Sequence, residues 1–284
     1  HRCAQRLVQI LVFHVICKRK KMDNLTAWKD ALKERPLYGC FVTFALPDIA
    51  EYTARMGFDF LLLDNEHGVM EQSTLADMVR ASQCAGVPAV IRCTEKSYDH
   101  IQKALDFGAN GVQLPLVNTA EDAKRVVSMS NFPPDGKRGV AYLPRAASYG
   151  LVEDKAAYKR RANAVKLVCC QVETLEAVEN LDAILAVDGI DVYFVGPGDL
   201  SSSMGVSTTD PEFLKLAESV IRRIAAAGKI PGYYVGSAAA AKQAESWGAR
   251  YLVTAITSYM AAGAKQFLAD ARGTGEKVTV KDAY

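Results

Sequence analysis

The sequence predicts a single-domain α/β fold, a (β/α)8 TIM barrel, on three observations. Short apolar runs rich in β-branched and aromatic residues alternate with stretches whose apolar residues fall at helical spacing, as in βα units around a parallel sheet. The runs number eight, at 39–44, 60–64, 89–92, 111–114, 166–173, 191–195, 231–235 and 251–254. Several follow a repeated cue in which a helix closes on glycine before the next run begins.

Taken in order, the run at 39–44 precedes a helical stretch that ends on Met56-Gly57-Phe58-Asp59, and the run at 60–64 leads into Asp64-Asn65-Glu66-His67. Leu75, Met78, Val79 and Ser82 then mark a crossover helix before Ala89-Val90-Ile91-Arg92. Phe107-Gly108-Ala109-Asn110 closes the next helix ahead of 111–114. Residues 130–164 carry no clear strand but do carry Asn131-Phe132-Pro133-Pro134-Asp135-Gly136, so they read either as an excursion at the site mouth or as a plain surface insertion. In Leu167-Val168-Cys169-Cys170-Gln171-Val172-Glu173, strand alternation turns Cys169 and Cys170 to opposite faces and puts Gln171 on the face of Glu173. Leu175, Val178, Leu181, Ile184 and Leu185 mark the following helix, Val192-Tyr193-Phe194-Val195 runs into Gly196-Pro197-Gly198-Asp199, and Trp247-Gly248-Ala249-Arg250 introduces the last strand.

The chain has 284 residues, half of them hydrophobic, which suits one sizeable core. Its 34 basic and 32 acidic residues nearly cancel, so bulk charge favours neither nucleic acid nor a membrane surface, and small metabolites are the expected partners. Seven cysteines, an odd count without a CxxC pair, suggest a reducing compartment and a cytoplasmic location. Residues 1–21 lack acidic residues and close on Lys18-Arg19-Lys20-Lys21; they are expected to be a leader or targeting-like segment outside the fold, mitochondrial if genuine. Residues 22–284 are then the barrel domain, with a C-terminal helix and tail.

Parallel barrels carry their chemistry at the carboxyl ends of strands. There the sequence sets Glu173 and, 26 residues on, Asp199. Two carboxylates on adjacent strands suit a hard divalent cation, Mg2+ or Mn2+ and in a third instance Co2+, although each acid alone could instead cap a helix. His67 is a candidate general base and Asp64 a carboxylate that could orient it; a strand-terminal hydrogen-bonding role is the alternative. Arg92 could stabilise a developing oxyanion or form a structural ion pair. Gln171 could bind a substrate oxo group, and amides near Gly198 could receive an anion. None of the eight runs carries a lysine near its carboxyl end, which disfavours Schiff-base chemistry, and no phosphate loop or nucleotide fingerprint is present.

These residues resemble the HpcH/HpaI aldolase and citrate lyase superfamily, on the side of the metal-dependent aldolases for 4-hydroxy-2-oxo acids. The matching motifs are Gly57-Phe58-Asp59-Phe60 leading to Asp64-Asn65-Glu66-His67, Gln171-Val172-Glu173-Thr174 and Gly196-Pro197-Gly198-Asp199-Leu200-Ser201. The resemblance implies a barrel assembled as a hexamer of dimers that exchange a C-terminal helix. It implies that Glu173 and Asp199 hold the metal, that His67 supported by Asp64 is the base, and that Arg92 steadies an enolate oxygen. Gln171, Gly198 and Asp199 would position pyruvate, and Asp106 matches a further polar position of the family. The implied activity is reversible cleavage of a 4-hydroxy-2-oxo acid to pyruvate and an aldehyde. Oxaloacetate decarboxylation, CoA-ester cleavage and a catalytically silent metabolite-binding barrel stay open beside it. Asn65, the segment 138–145 and the pair Tyr233-Tyr234 depart from the family pattern near the pocket mouth, which leaves the aldehyde partner open.

Overall fold

The computed structural model describes residues 27–274, so the leader expected at 1–21 lies outside the described residues. Eight strands close a barrel in sequence order: β1 (Leu37–Val42), β2 (Phe60–Asp64), β3 (Ala89–Arg92), β4 (Gly111–Leu114), β5 (Leu167–Val172), β6 (Val192–Val195), β7 (Ile230–Tyr234) and β8 (Tyr251–Ala255). Every neighbouring pair is parallel, including β1 with β8, as the alternation of runs and helices predicts.

Strand parity divides the core in two. Phe41, Phe60, Leu62, Val90, Cys169, Phe194, Tyr234 and Tyr251 fill the barrel, whereas Leu61, Leu63, Ile91, Val112, Cys170 and Tyr193 face the helices. Cys169 and Cys170 therefore part to opposite faces as expected, both as free thiols. Gly39 lets the interior fill: a Cβ there would stand 2.2 Å from the Phe60 ring, which itself stacks on Tyr251 at 4.4 Å. Below the barrel, α1 (Trp28–Glu34) acts as a plug, with Trp28 and Leu32 fully buried and the Trp28 ring 5.5 Å from Phe60.

Outside run α2 (Pro47–Arg55), α3 (Gln72–Cys84), α4 (Tyr98–Asp106), α5 (Ala120–Ser130), α6 (Lys155–Val165), the short pair α7 (Leu175–Glu179) and α8 (Leu181–Leu185), α9 (Pro197–Met204), α10 (Pro211–Ala226), α11 (Ala238–Trp247) and α12 (Ile256–Arg272). The glycine cue holds where it was read: Gly57, Gly108 and Gly248 take φ of 99°, 87° and 111°, values that a side chain resists.

The excursion between α5 and β5, which the sequence left open as either a site-mouth excursion or a plain surface insertion, packs along α4. It contains a 3-10 segment at Arg145–Gly150 and lies along α4 and beside the amino-terminal ends of β4 and β5. The Gly139 amide donates to the Tyr98 hydroxyl (2.6 Å), Arg145 donates to the Phe107 carbonyl (3.1 Å), and Arg138 pairs with Asp106. Chain length forced a long connection, but only tertiary packing decides which rim it covers.

Candidate active site

The β2–β3 register places Asp64 directly opposite Arg92 at the carboxyl end of the barrel. Arg92 Nε donates to Asp64 Oδ1 at 3.0 Å and Nη2 to Oδ2 at 2.8 Å, a bidentate pair with Asp64 fully buried and Arg92 4% exposed. The guanidinium also lies 4.6 Å from the centre of the Phe41 ring, and Nη1 stands 3.2 Å from Glu66 Oε2. A planar cation is thus held by a carboxylate edge and an aromatic face, so its orientation is fixed before any ligand arrives.

Asp64 does a second job. Its Oδ1 accepts the backbone amides of Glu66 and His67, each at 3.2 Å, which folds the loop after β2 back on the strand end. The sequence reading had Asp64 supporting the His67 side chain; in the structure both Asp64 oxygens serve Arg92 and Oδ1 also holds the loop backbone, while the His67 side chain is exposed at the rim.

Glu173 follows β5 and is 2% exposed. Its Oε1 accepts the Leu116 amide at 2.7 Å and its Oε2 accepts the Gln171 side-chain amide, whose own oxygen accepts from Gln113 Nε2 at 2.7 Å. Leu116 turns that amide inward through a left-handed backbone, φ 53°, at the end of β4. Gln171 therefore shares the Glu173 face, as parity predicts, and aims the carboxylate. Gly196 gives it room: a Cβ there would meet Glu173 Oε2 at 3.0 Å and the Glu173 Cβ at 3.1 Å.

The helix-capping alternatives for the two acids do not describe the molecule. Thr174, not Glu173, caps α7 by accepting the Ala177 amide, and Asp199 lies inside the first turn of α9, whose N-cap is Gly196. Gly198 shares that first turn, its carbonyl accepting the Ser201 hydroxyl at 3.0 Å. Asp199 is exposed at the rim.

Sequence reasoning assigned no separate role to Glu66, the acid that completes the electrostatics. Burial pushes its carboxyl up to about 7; Arg92 opposes this, while the charges of Asp64 and Asp199 add to it. Burial likewise pushes Glu173 up to about 7 against the Leu116 amide and Gln171, with Glu66 and Asp199 adding repulsion. Glu66, Glu173 and Asp199 thus form a field that one arginine does not neutralise, and Glu66 Oε2 is buried without a hydrogen bond. Parity was the available signal, since Glu66 stands two residues beyond Asp64.

A divalent cation fits this donor set. Hard oxygen donors lie on adjacent strand ends, and a cation would relieve their mutual repulsion. Among the described residues no three His, Cys, Asp or Glu side chains form a ready metal cage. Two acids with the other positions left to water and substrate is the pattern a cation with an open catalytic face requires.

Within one chain Asp106 stands apart from the other candidate residues. It ends α4, the helix that leads down to the start of β4, so within one chain it lies at the opposite rim from Glu173, bound to Arg138 at 2.7 Å. Its motif resemblance located it in sequence but not on a rim.

Comparison with known proteins agrees with the barrel fold. The HpcH/HpaI aldolase/citrate lyase family model matches residues 37–259. A 2-keto-3-deoxy-L-rhamnonate aldolase of Salmonella typhi is 38% identical over 82% of this chain and 88% of its own length. The protein of that name from Klebsiella pneumoniae is 40% identical over 75% of this chain and 79% of its own length. Among solved structures, an HpcH/HpaI aldolase/citrate lyase family protein from Burkholderia cenocepacia superposes with TM-score 0.82 at 32% identity, covering 87% of this chain and 99% of that one. The chain belongs to the HpcH/HpaI aldolase/citrate lyase family and is a carbon–carbon lyase of it.

Proposed function

We propose that this lyase is a divalent-metal-dependent aldolase that reversibly cleaves a 4-hydroxy-2-oxo acid, of the 2-keto-3-deoxy sugar-acid kind, to pyruvate and an aldehyde. The observation that carries this reading is the fixed Arg92 guanidinium on the same rim as the Glu66, Glu173 and Asp199 carboxylates. Glu173 and Asp199 would hold Mg2+, Mn2+ or Co2+. A bound divalent cation acts as a Lewis acid toward the oxygens of a 2-oxo acid and lowers the cost of negative charge beside its carbonyl.

In the cleavage direction His67 takes the proton of the C4 hydroxyl, the C3–C4 bond breaks, and its electron pair passes to the pyruvate half as the aldehyde forms. Arg92, kept in place by Asp64, faces the oxygen on which charge develops. Protonation at C3 then gives pyruvate. Gln171 acts by aiming Glu173 rather than by a free contact of its own, and the first turn of α9 at Gly198 borders the carboxylate end of the substrate.

The reading extends to assembly and place. Tyr259, Met260, Phe267 and Leu268 are exposed apolar side chains on α12, which supports a homo-oligomer of dimers, completed as a hexamer, in which this helix packs on a neighbour. Free cysteines among the described residues fit a cytoplasmic setting. No described helix is long and apolar enough to cross a membrane. The test of the activity is product identification: incubation with 2-keto-3-deoxy-L-rhamnonate and with oxaloacetate, followed by detection of pyruvate and of aldehyde. Equal amounts of pyruvate and aldehyde from the sugar acid support the reading; pyruvate from oxaloacetate alone overturns it in favour of decarboxylation.

A further inference from the structure

Glu173 is gripped through both carboxylate oxygens. Oε2 accepts the Gln171 side-chain amide, and Oε1 accepts the backbone amide of Leu116 at 2.7 Å, from the loop that follows β4. Each oxygen keeps lone-pair capacity for a further partner, so the direction in which the carboxylate presents it is only as well fixed as these two donors. Gln171 lies within β5, and Gln113 of β4 holds its oxygen at 2.7 Å. Leu116 has no strand to hold it.

Its own side chain does not fix it either, being 49% exposed. The backbone there takes φ 53°, a left-handed conformation that leucine leaves unless its surroundings impose it. Pro115 has no N–H, so Leu116 offers the first amide after β4. The constraint comes from the two peptides that flank the Leu116 Cα: the amide of one donates to Glu173, and the carbonyl of the other accepts the ammonium of Lys96, from the loop between β3 and α4. Lys96 is anchored in turn by Asp122 in the first turn of α5, Nζ to Oδ1 at 3.1 Å. The second Asp122 oxygen accepts the Asn118 amide at 3.1 Å. Asn118 is further tied by Asn180, which donates to its carbonyl at 3.0 Å, and by the Thr174 hydroxyl at 2.9 Å. Loss of Lys96 would therefore leave the loop in place at 118 and loosen it at 116.

We propose that Lys96 is a positioning residue for the Glu173 carboxylate: by holding the Leu116 carbonyl it keeps the Leu116 amide on Oε1 and so sets how Glu173 meets a divalent cation. The proposal rests on the reading that Glu173 holds that cation. Lys96 itself touches neither Glu173 nor substrate in this role, and its ammonium is spent on Leu116 and Asp122.

The test is Mn2+ titration of the metal-stripped full chain, read by the electron paramagnetic resonance signal of free Mn2+, on the parent, Lys96→Met, Lys96→Arg and Glu173→Gln. Charge and positioning predict opposite signs, since removing a positive charge would by Coulomb repulsion alone tighten the binding of a cation, whereas a loosened Leu116 weakens it. Lys96→Met is expected to weaken Mn2+ affinity by about tenfold or more. Lys96→Arg keeps the charge and the donors and should restore affinity to within about threefold of the parent. Far-UV circular dichroism and the urea midpoint establish that each variant is folded; should Lys96→Met not fold, Lys96→Gln, which loses the charge and the reach, carries the same expectation. Unchanged or tighter Mn2+ binding in the folded lysine variant, beside weakened binding in Glu173→Gln, would overturn the proposal and leave the metal reading standing. Undiminished binding in Glu173→Gln would overturn that reading, and the proposal with it.

Discussion

Arg92 and Asp64 are register partners on β3 and β2, joined by two parallel hydrogen bonds of 3.0 and 2.8 Å in a setting closed to water. One pair therefore fixes both the cation proposed to face substrate and, through the amides of Glu66 and His67, the loop that bears the proposed base.

Breaking that pair should cost both stability and rate. Asp64→Ala leaves a buried guanidinium without its carboxylate, a loss of about 3–5 kcal/mol that urea unfolding would read. Arg92→Lys keeps the charge and loses the fork. It should lower kcat by about 100-fold or more with a smaller stability change, read by steady-state kinetics beside the same unfolding curve.

His67 lies exposed beyond the strand end, so its removal should be silent structurally. His67→Ala is expected to stay within about 0.5 kcal/mol of the parent in stability. Its turnover should drop by about 10²- to 10⁴-fold if it moves the C4 hydroxyl proton. An unchanged kcat would remove the histidine from the mechanism.

Second-layer geometry around Glu173 makes a separate claim. Gly196→Ala brings a methyl group to about 3.0 Å from Oε2, and Gln171→Leu removes the amide that aims it. Each should weaken divalent-metal affinity by about 10- to 100-fold, measured by Mn2+ titration, with the barrel intact by circular dichroism.

Acid titration gives a sign as well as a size. Glu66 and Glu173 stand at about 7 in the folded chain against an ordinary 4.5. Between pH 4.5 and 7 the folded state keeps protons that the unfolded state has lost, so stability of the metal-free protein falls as pH rises through that window. Below 4.5 both states are protonated and the contribution levels off. Urea midpoints at pH 5 and pH 7.5 should show the fall. Glu66→Gln should reduce the fall, leaving the share of Glu173, and be more stable than the parent at pH 7.5.

Much of the barrel is legible in the sequence because two periodicities coincide with chain punctuation. Phe60–Asp64, Ala89–Arg92 and Gly111–Leu114 fall where the apolar runs place them, each preceded by its helix or glycine turn. The first strand begins two residues before the expected Gly39, because a glycine that reads as a boundary instead yields interior space to Phe60. Parity carries Gln171 and Glu173 to one face correctly. It does not reveal that Asp64 spends its oxygens on Arg92, since that depends on the register between two strands. Nor does it say how the excursion meets its neighbours: Arg138 pairs with Asp106 at the end of α4 and Arg145 with the Phe107 carbonyl, contacts that only tertiary packing decides.

Glu173 and Asp199 are proposed to hold a divalent cation needed for cleavage. The most direct measurement is pyruvate release from 2-keto-3-deoxy-L-rhamnonate by metal-stripped protein, before and after Mg2+ or Mn2+ is returned, beside Glu173→Gln under the same conditions. Loss of turnover on stripping, recovery on return of the ion, and no recovery in Glu173→Gln are expected. Undiminished turnover after verified metal loss, or full recovery in the variant, would contradict the proposal.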